Sequence, residues 1–296
     1  MVEKYPEEKD KLIKFSLLII DVIKFGENLL KWDLEKEREG FENTLPALFL
    51  SNILELGDAI SILIKNATID PCTILLRSLL ENTYGLGYLV ETEEEKRALS
   101  FVVCQAHKKL KLFEKLDSST TNGEQFKNEL KKDRDERDVI KYFDNPNLMQ
   151  EKQNCEALLE LPECVEIEKE YQRILLKNKR VSSNNIKWFS FFEGPKNIIE
   201  LAQHLKLHAS YEILYRGFSE NVHATKDYGG QLVLNDDGSF SIIRNFSSEY
   251  VQVVTTNTIR TMLMSYRSFY EARLHEKEHY CQNWLSEFVK KCQDLL

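Results

Sequence analysis

Apolar residues recur at helical spacing over most of the chain. Between about residues 7 and 36, Leu12, Phe15, Ile19, Val22, Ile23, Leu29 and Leu30 share one face, which predicts a long amphipathic helix. A second helix is expected from near Pro46 to Asn66. Asp70-Pro71 joins a cap-forming residue to a proline suited to the first helical position. A third helix is therefore expected from Asp70 to about Glu91, carrying Ile74, Leu75, Leu79, Leu80, Tyr84 and Leu86. Thr92 and Glu95 have capping-box spacing ahead of a fourth helix that reaches about Leu116. Asp117 to Gly123 reads as a loop, and Glu124 to Tyr142 as a heavily charged helix. Alternating signs make that helix either a solvated face or a projecting arm that meets a partner.

Helical segments continue to about Lys179, with Pro146 and Pro162 as breaks, and Val181 to Asn185 is a polar loop. Two short helices follow, Ile198 to Leu207 and Tyr211 to Val222. The period then changes. Gln231 to Leu234 and Ser239 to Ile243 flank Asn235-Asp-Asp-Gly238, the pattern of a β-hairpin. One long helix, broken at most once, closes the chain from Ser247 to about Leu295. The expected fold is all-α: an irregular multi-helix bundle with a small β-hairpin near 231–243. Helices 2 and 3, the 196–222 pair and the C-terminal helix are expected to form the core. No internal repeat or linker divides it, so 1–296 reads as a single domain with a charged helical insertion about 117–180.

Composition narrows the class. An apolar content of 42% over 296 residues builds a core, which excludes disorder. No uninterrupted apolar run of about 18 residues is present, so no membrane span is expected. Met1 to Asp10 is acidic and polar, unlike a secretory leader. The six cysteines contain no CxxC pair and read as reduced thiols, so a cytoplasmic location is expected. The net charge of −8 argues against broad binding to nucleic acid, which phosphate charge drives.

Four constellations carry candidate chemistry. His275-Glu276-Lys277-Glu278-His279 matches H-E-x-x-H, which on a helix places two imidazoles on one face for zinc. Its intervening Lys-Glu pair suits an exposed charged helix, so no metal is expected there. His204 and His208 share that spacing without further ligands. Arg77 and Glu81 stand four apart inside an apolar helix, where charges need partners; they form either a structural ion pair or part of a site. Finally, Arg216 and His223 are seven apart, two helical turns, with Ser219 and Glu220 between them. Such a set suits acid–base chemistry on a phosphodiester. The plainer alternative has Arg216 paired with Glu220 and His223 capping a helix C-terminus. There is no Gly-rich phosphate loop and no nucleophile elbow, and no cofactor is expected.

Arg77-Ser-Leu-Leu-Glu81-Asn82 with Tyr88-Leu89, then Trp188, Ile198 to Ala202, Tyr211 to Tyr215, Ser219-Glu220 and His223, resembles a bacterial all-helical family of unknown function, numbered 5677 among such domains. The resemblance spans roughly 45–235 and implies fold more than activity. More distantly, Arg216 and His223, with six residues between them, resemble the Arg-to-His signature of HEPN ribonucleases. Gly217 departs from that pattern, since a polar residue commonly follows the arginine there. A helical glycine also costs about 1 kcal/mol relative to alanine, which points to close packing or a kink. This likeness implies a metal-independent ribonuclease acting as a toxin or phage-defence effector. His223 would be its general acid or base and Arg216 would stabilise phosphate charge. Glu220 would orient them, with Arg77, Glu81, Ser219 and Tyr215 around the site. Within one chain Arg216 leans away from His223, so a homodimer is the expected assembly. Acidic net charge implies a selective RNA such as a tRNA, met by Lys108, Lys109 and Lys111 or by Lys177, Lys179 and Arg180. The alternative is a non-catalytic helical module that binds a protein partner, encoded in the same operon, or a small ligand.

Overall fold

The computed structural model describes residues 8–132, 141, 143–177, 186–217, 232–235, 237–242 and 248–293. The fold is all-α, and the chain divides into two compact units, Met1–Glu93 with Ile198–Leu296, and Glu94–Asn197. The second unit contains the described part of the charged stretch read as an insertion.

In the first unit α1 (Lys9–Leu34), α2 (Phe41–Lys65), α3 (Asp70–Leu89) and α10 (Ser248–Arg273) pack on one another as its core. α1, which the apolar pattern did not assign to the core, buries Leu12, Leu18, Ile19, Val22 and Leu29 completely or nearly so. Burying each such side chain contributes ~1.5–3 kcal/mol. α1 and α10 approach closely at Gly26, where a Cβ would collide with the Tyr266 ring and Leu54. The Tyr266 hydroxyl accordingly donates to the Val22 carbonyl at 3.1 Å. α2 is long and apolar enough to cross a membrane by length and composition, yet half of that window is buried inside the protein. It packs between α1 and α3 here.

α2 starts at Phe41, earlier than the expected start near Pro46. Proline inside a helix removes one N–H and orphans the carbonyl four residues back, that of Glu42. The Arg273 guanidinium takes over: Nη1 donates to the Glu42 carbonyl at 3.3 Å and Nη2 to that of Asn43 at 3.0 Å. The same guanidinium grips Asp33 with Nε–Oδ1 3.0 Å and Nη2–Oδ2 2.8 Å. Each side chain is 2% exposed. This pair ties the end of α1 to the start of α2 and the end of α10. At α3 the cap position falls on Ile69, and Asp70 is the first helical residue rather than the cap.

α8 (Ile198–His204) and α9 (His208–Ser210) follow in the same unit, and α9 runs into a π-helical turn, Tyr211–Tyr215. Leu201, Ala202, Tyr211 and Tyr215 are buried, while the four long helices supply most of the core. Two three-residue segments, β1 (Leu232–Leu234) and β2 (Phe240–Ile242), pair antiparallel with Val233 opposite Ser241. α10 ends at Arg273, a 3-10 turn spans His275–Lys277, and α11 (Glu278–Gln293) follows.

The second unit is built on α4 (Glu94–Leu116), α5 (Thr121–Leu130), α6 (Pro146–Leu159) and α7 (Val165–Lys177), with a 3-10 segment at Trp188–Glu193. Thr120 caps α5 by accepting the Gly123 N–H at 2.9 Å, which shortens the loop expected over 117–123. Most of the expected 124–142 helix beyond Leu130, and the Val181–Asn185 loop, lie outside the described residues.

Candidate functional site

The amphipathic α3 turns Leu76, Leu79, Leu80 and Tyr84 into the core and leaves Arg77 and Glu81 one turn apart on its flank. Arg77 is largely buried, with 18% of its side chain exposed, against 47% for Glu81. Its Nε lies 3.4 Å from Glu81 Oε1, a loose contact. Tyr215 makes the tighter link. Arg77 Nη2 donates to the Tyr215 hydroxyl at 2.9 Å, and that hydroxyl donates to Glu81 Oε1 at 2.7 Å. The guanidinium also lies over the Tyr215 ring, 4.6 Å from its centroid, adding a cation–π contact. Burial pushes the Tyr215 phenol up to about 12, and acceptance of its proton by Glu81 adds to this. Burial works against the Arg77 charge, but Tyr215 and Glu81 outweigh it. Arg77 Nη1 is buried and has no hydrogen-bond acceptor among the described residues.

The π-turn that presents Tyr215 closes with the Arg216 N–H donating to the Tyr211 carbonyl. π-turns are rare and frequent at functional sites. Here the turn stacks Tyr211 on Tyr215, with centroids 5.1 Å apart. A second tie fixes its start: Tyr84 and Ser210 share a hydroxyl–hydroxyl bond of 2.7 Å. α3 therefore holds the segment before Arg216 at two points.

Of the residues singled out in the sequence, Arg77, Glu81 and Tyr215 come together. Arg216 does not join them. Its guanidinium is 65% exposed, and Nη1 donates to Glu212 Oε2, one turn back, at 2.8 Å. Among the described residues a Cβ on Gly217 would meet nothing within 4 Å, so none of them packs closely on that glycine. The local irregularity is the π-turn just before it. Ser219, Glu220 and His223 lie outside the described residues.

His275 sits in the 3-10 turn and His279 in α11, so the H-E-x-x-H residues span two elements rather than one continuous α-helix. His204 ends α8, binds Glu91 Oε2 through Nε2 at 2.7 Å and meets the Tyr88 ring edge-on, whereas His208 begins α9. No group of three potential metal ligands occurs among the described residues. All six cysteines are free thiols, and burial pushes Cys72 up to about 12 and Cys281 up to about 11, far from thiolate reactivity.

The second unit holds a constellation that the sequence reading missed. His107 on α4 stacks flat on Tyr171 of α7 at 3.8 Å, and its Nε2 lies 2.6 Å from Glu168 Oε2. Gln172 donates to the other carboxylate oxygen at 2.7 Å. Burial opposes the Glu168 charge, but the His107 and Gln172 bonds prevail and hold its carboxyl below the ordinary value. A cavity of about 530 Å3 opens beside them, with Lys111 and Lys152 on its wall. The available signal was His107 immediately ahead of Lys108, Lys109 and Lys111; its partner lies 61 residues away.

The profile of a family described as a family of unknown function (DUF5677) matches residues 43–240. No curated protein and no solved structure matches.

Proposed function

The chain belongs to this family of unknown function, and we propose that it is a metal-independent endoribonuclease of the HEPN type, a cytoplasmic toxin or phage-defence effector. One observation supports this most: Arg77, Tyr215 and Glu81 lock the backbone that runs directly into Arg216. A phosphodiester site gains from such preorganisation, because a catalytic pair must keep its geometry as charge develops. In this reading His223 takes the proton of a ribose 2′-hydroxyl as its oxygen attacks phosphorus. The bond to the 5′-oxygen breaks, and that oxygen leaves with a proton returned by an acid. A 2′,3′-cyclic phosphate and a 5′-hydroxyl remain. The exposed Arg216 guanidinium neutralises the phosphoryl oxygens, and the phosphate displaces Glu212 from it. Glu220 and Ser219 orient the pair. Arg77, Glu81 and Tyr215 are positioning residues. A homodimer brings two such segments together. The net charge of −8 restricts the substrate to a selected RNA such as a tRNA.

One observation favours the second reading, a non-catalytic module for a protein partner from the same operon or a small ligand. Arg216 is already engaged by Glu212, as in an ordinary surface ion pair. Expression of the wild type and of His223→Ala in a bacterial host separates the two. Growth arrest with cyclic-phosphate RNA ends, from the wild type alone, upholds the nuclease. Unchanged growth and intact RNA from both, at equal soluble levels, carries the binding module instead.

A further inference from the structure

α11 is propped against α1 by stacked rings. Phe25 lies 3.9 Å from Trp284 with planes 6° apart, and Trp284 lies 5.0 Å from Phe288 at 9°. Phe25, Trp284 and Phe288 also line a groove of about 500 Å3 that stays open between α11 and α10. Ile259, Leu263 and Met264 form one wall, Leu285 and Val289 the other, and Phe25 contributes to the floor. That volume and apolar lining fall within the range of small-molecule sites between bundle helices.

The charge at the groove is one-sided. Among the described residues its only charged lining groups are Arg260 and Arg267, two turns apart on α10. Arg267 Nε is held by Glu271 Oε1 at 2.7 Å and is 73% exposed. Arg260 is exposed and forms no ion pair among the described residues. An apolar channel with a free guanidinium at its edge suits a ligand with an alkyl body and an anionic head.

From this we infer that the groove between α10 and α11 binds a single-chain amphipathic carboxylate, its chain along Leu263 and Leu285 and its head on Arg260. The inference does not rest on the nuclease reading. The test is calorimetry of the intact protein with dodecanoate, octanoate, dodecanol and dodecyltrimethylammonium, each below its aggregation concentration. Dodecanoate is expected to bind saturably at one per chain. Octanoate should bind more weakly, by up to about fourfold per lost methylene. The cationic ligand should bind worst. Arg260→Gln should weaken dodecanoate about fivefold and leave dodecanol unchanged, as for an exposed charge contact. Val289→Trp, at a residue already 46% exposed, and Leu285→Trp both narrow the channel and should weaken dodecanoate and dodecanol alike. No saturable dodecanoate binding overturns the inference, as does equal binding of the cationic ligand. A concentration-dependent dimer that Val289→Trp abolishes would show instead that a second copy covers the groove.

Discussion

Asp33→Ala offers the sharpest test of what holds the first unit together. The Asp33 carboxylate and Arg273 guanidinium meet through two bonds, 3.0 and 2.8 Å, with each side chain 2% exposed. Removing the carboxylate leaves Arg273 buried with, among the described residues, only the Glu42 and Asn43 carbonyls as acceptors. Two neutral acceptors do not balance a desolvated cation, so the cost is that of an unpaired buried charge, ~3–5 kcal/mol. Arg38, whose Nη1 is 3.4 Å from Asp33 Oδ1, is 28% exposed and recovers water, so it adds little. The charge-free exchange Asp33→Leu with Arg273→Met removes both desolvation penalties and should be near neutral or stabilising. Urea titration followed by circular dichroism and tryptophan fluorescence reads both, with the slope checked for constancy. A loss below ~1 kcal/mol for Asp33→Ala, or a double variant as unstable as the sum of its parts, would refute the argument.

Four further outcomes follow from the same geometry. Tyr215→Phe removes the hydroxyl between Arg77 and Glu81 and should cost ~1–3 kcal/mol in urea, since it strands the largely buried Arg77 guanidinium while the half-exposed Glu81 recovers water. Because the Tyr215 phenol is raised from 10.0 to about 12, its contribution is complete below the lower value and fades as pH rises through the higher. Tyr215→Phe should therefore flatten the alkaline stability decline across that window. Glu168, held below its ordinary 4.5, contributes stability above that pH and loses it on acidification, so Glu168→Gln should lessen the acid decline. Gly26→Ala should lower the thermal midpoint more than Gly217→Ala, because among the described residues only the first meets a neighbour; equal shifts would contradict the close approach of α1 and α10.

Helix periodicity is a property of the local backbone, and the chain states it openly. The long α1, the start of α3 at Asp70-Pro71, the break at Pro162 and the single interruption of the last helix follow from spacing, proline and apolar faces. The candidate site was legible only as residue types: Arg77, Glu81 and Tyr215 could be named, but not their bonds. The rest depended on which faces met. Pro46 reads as a helix start until Arg273, 231 residues from Glu42, takes over the carbonyl that the proline orphans. H-E-x-x-H keeps its spacing in the sequence but spans two elements once α10 ends at Arg273. Tyr215 reaches Arg77 across 138 residues, and His107 reaches Glu168 across 61. A hydrogen bond between distant residues has no periodic signature. It exists only once apolar burial has packed the helices that carry its two ends.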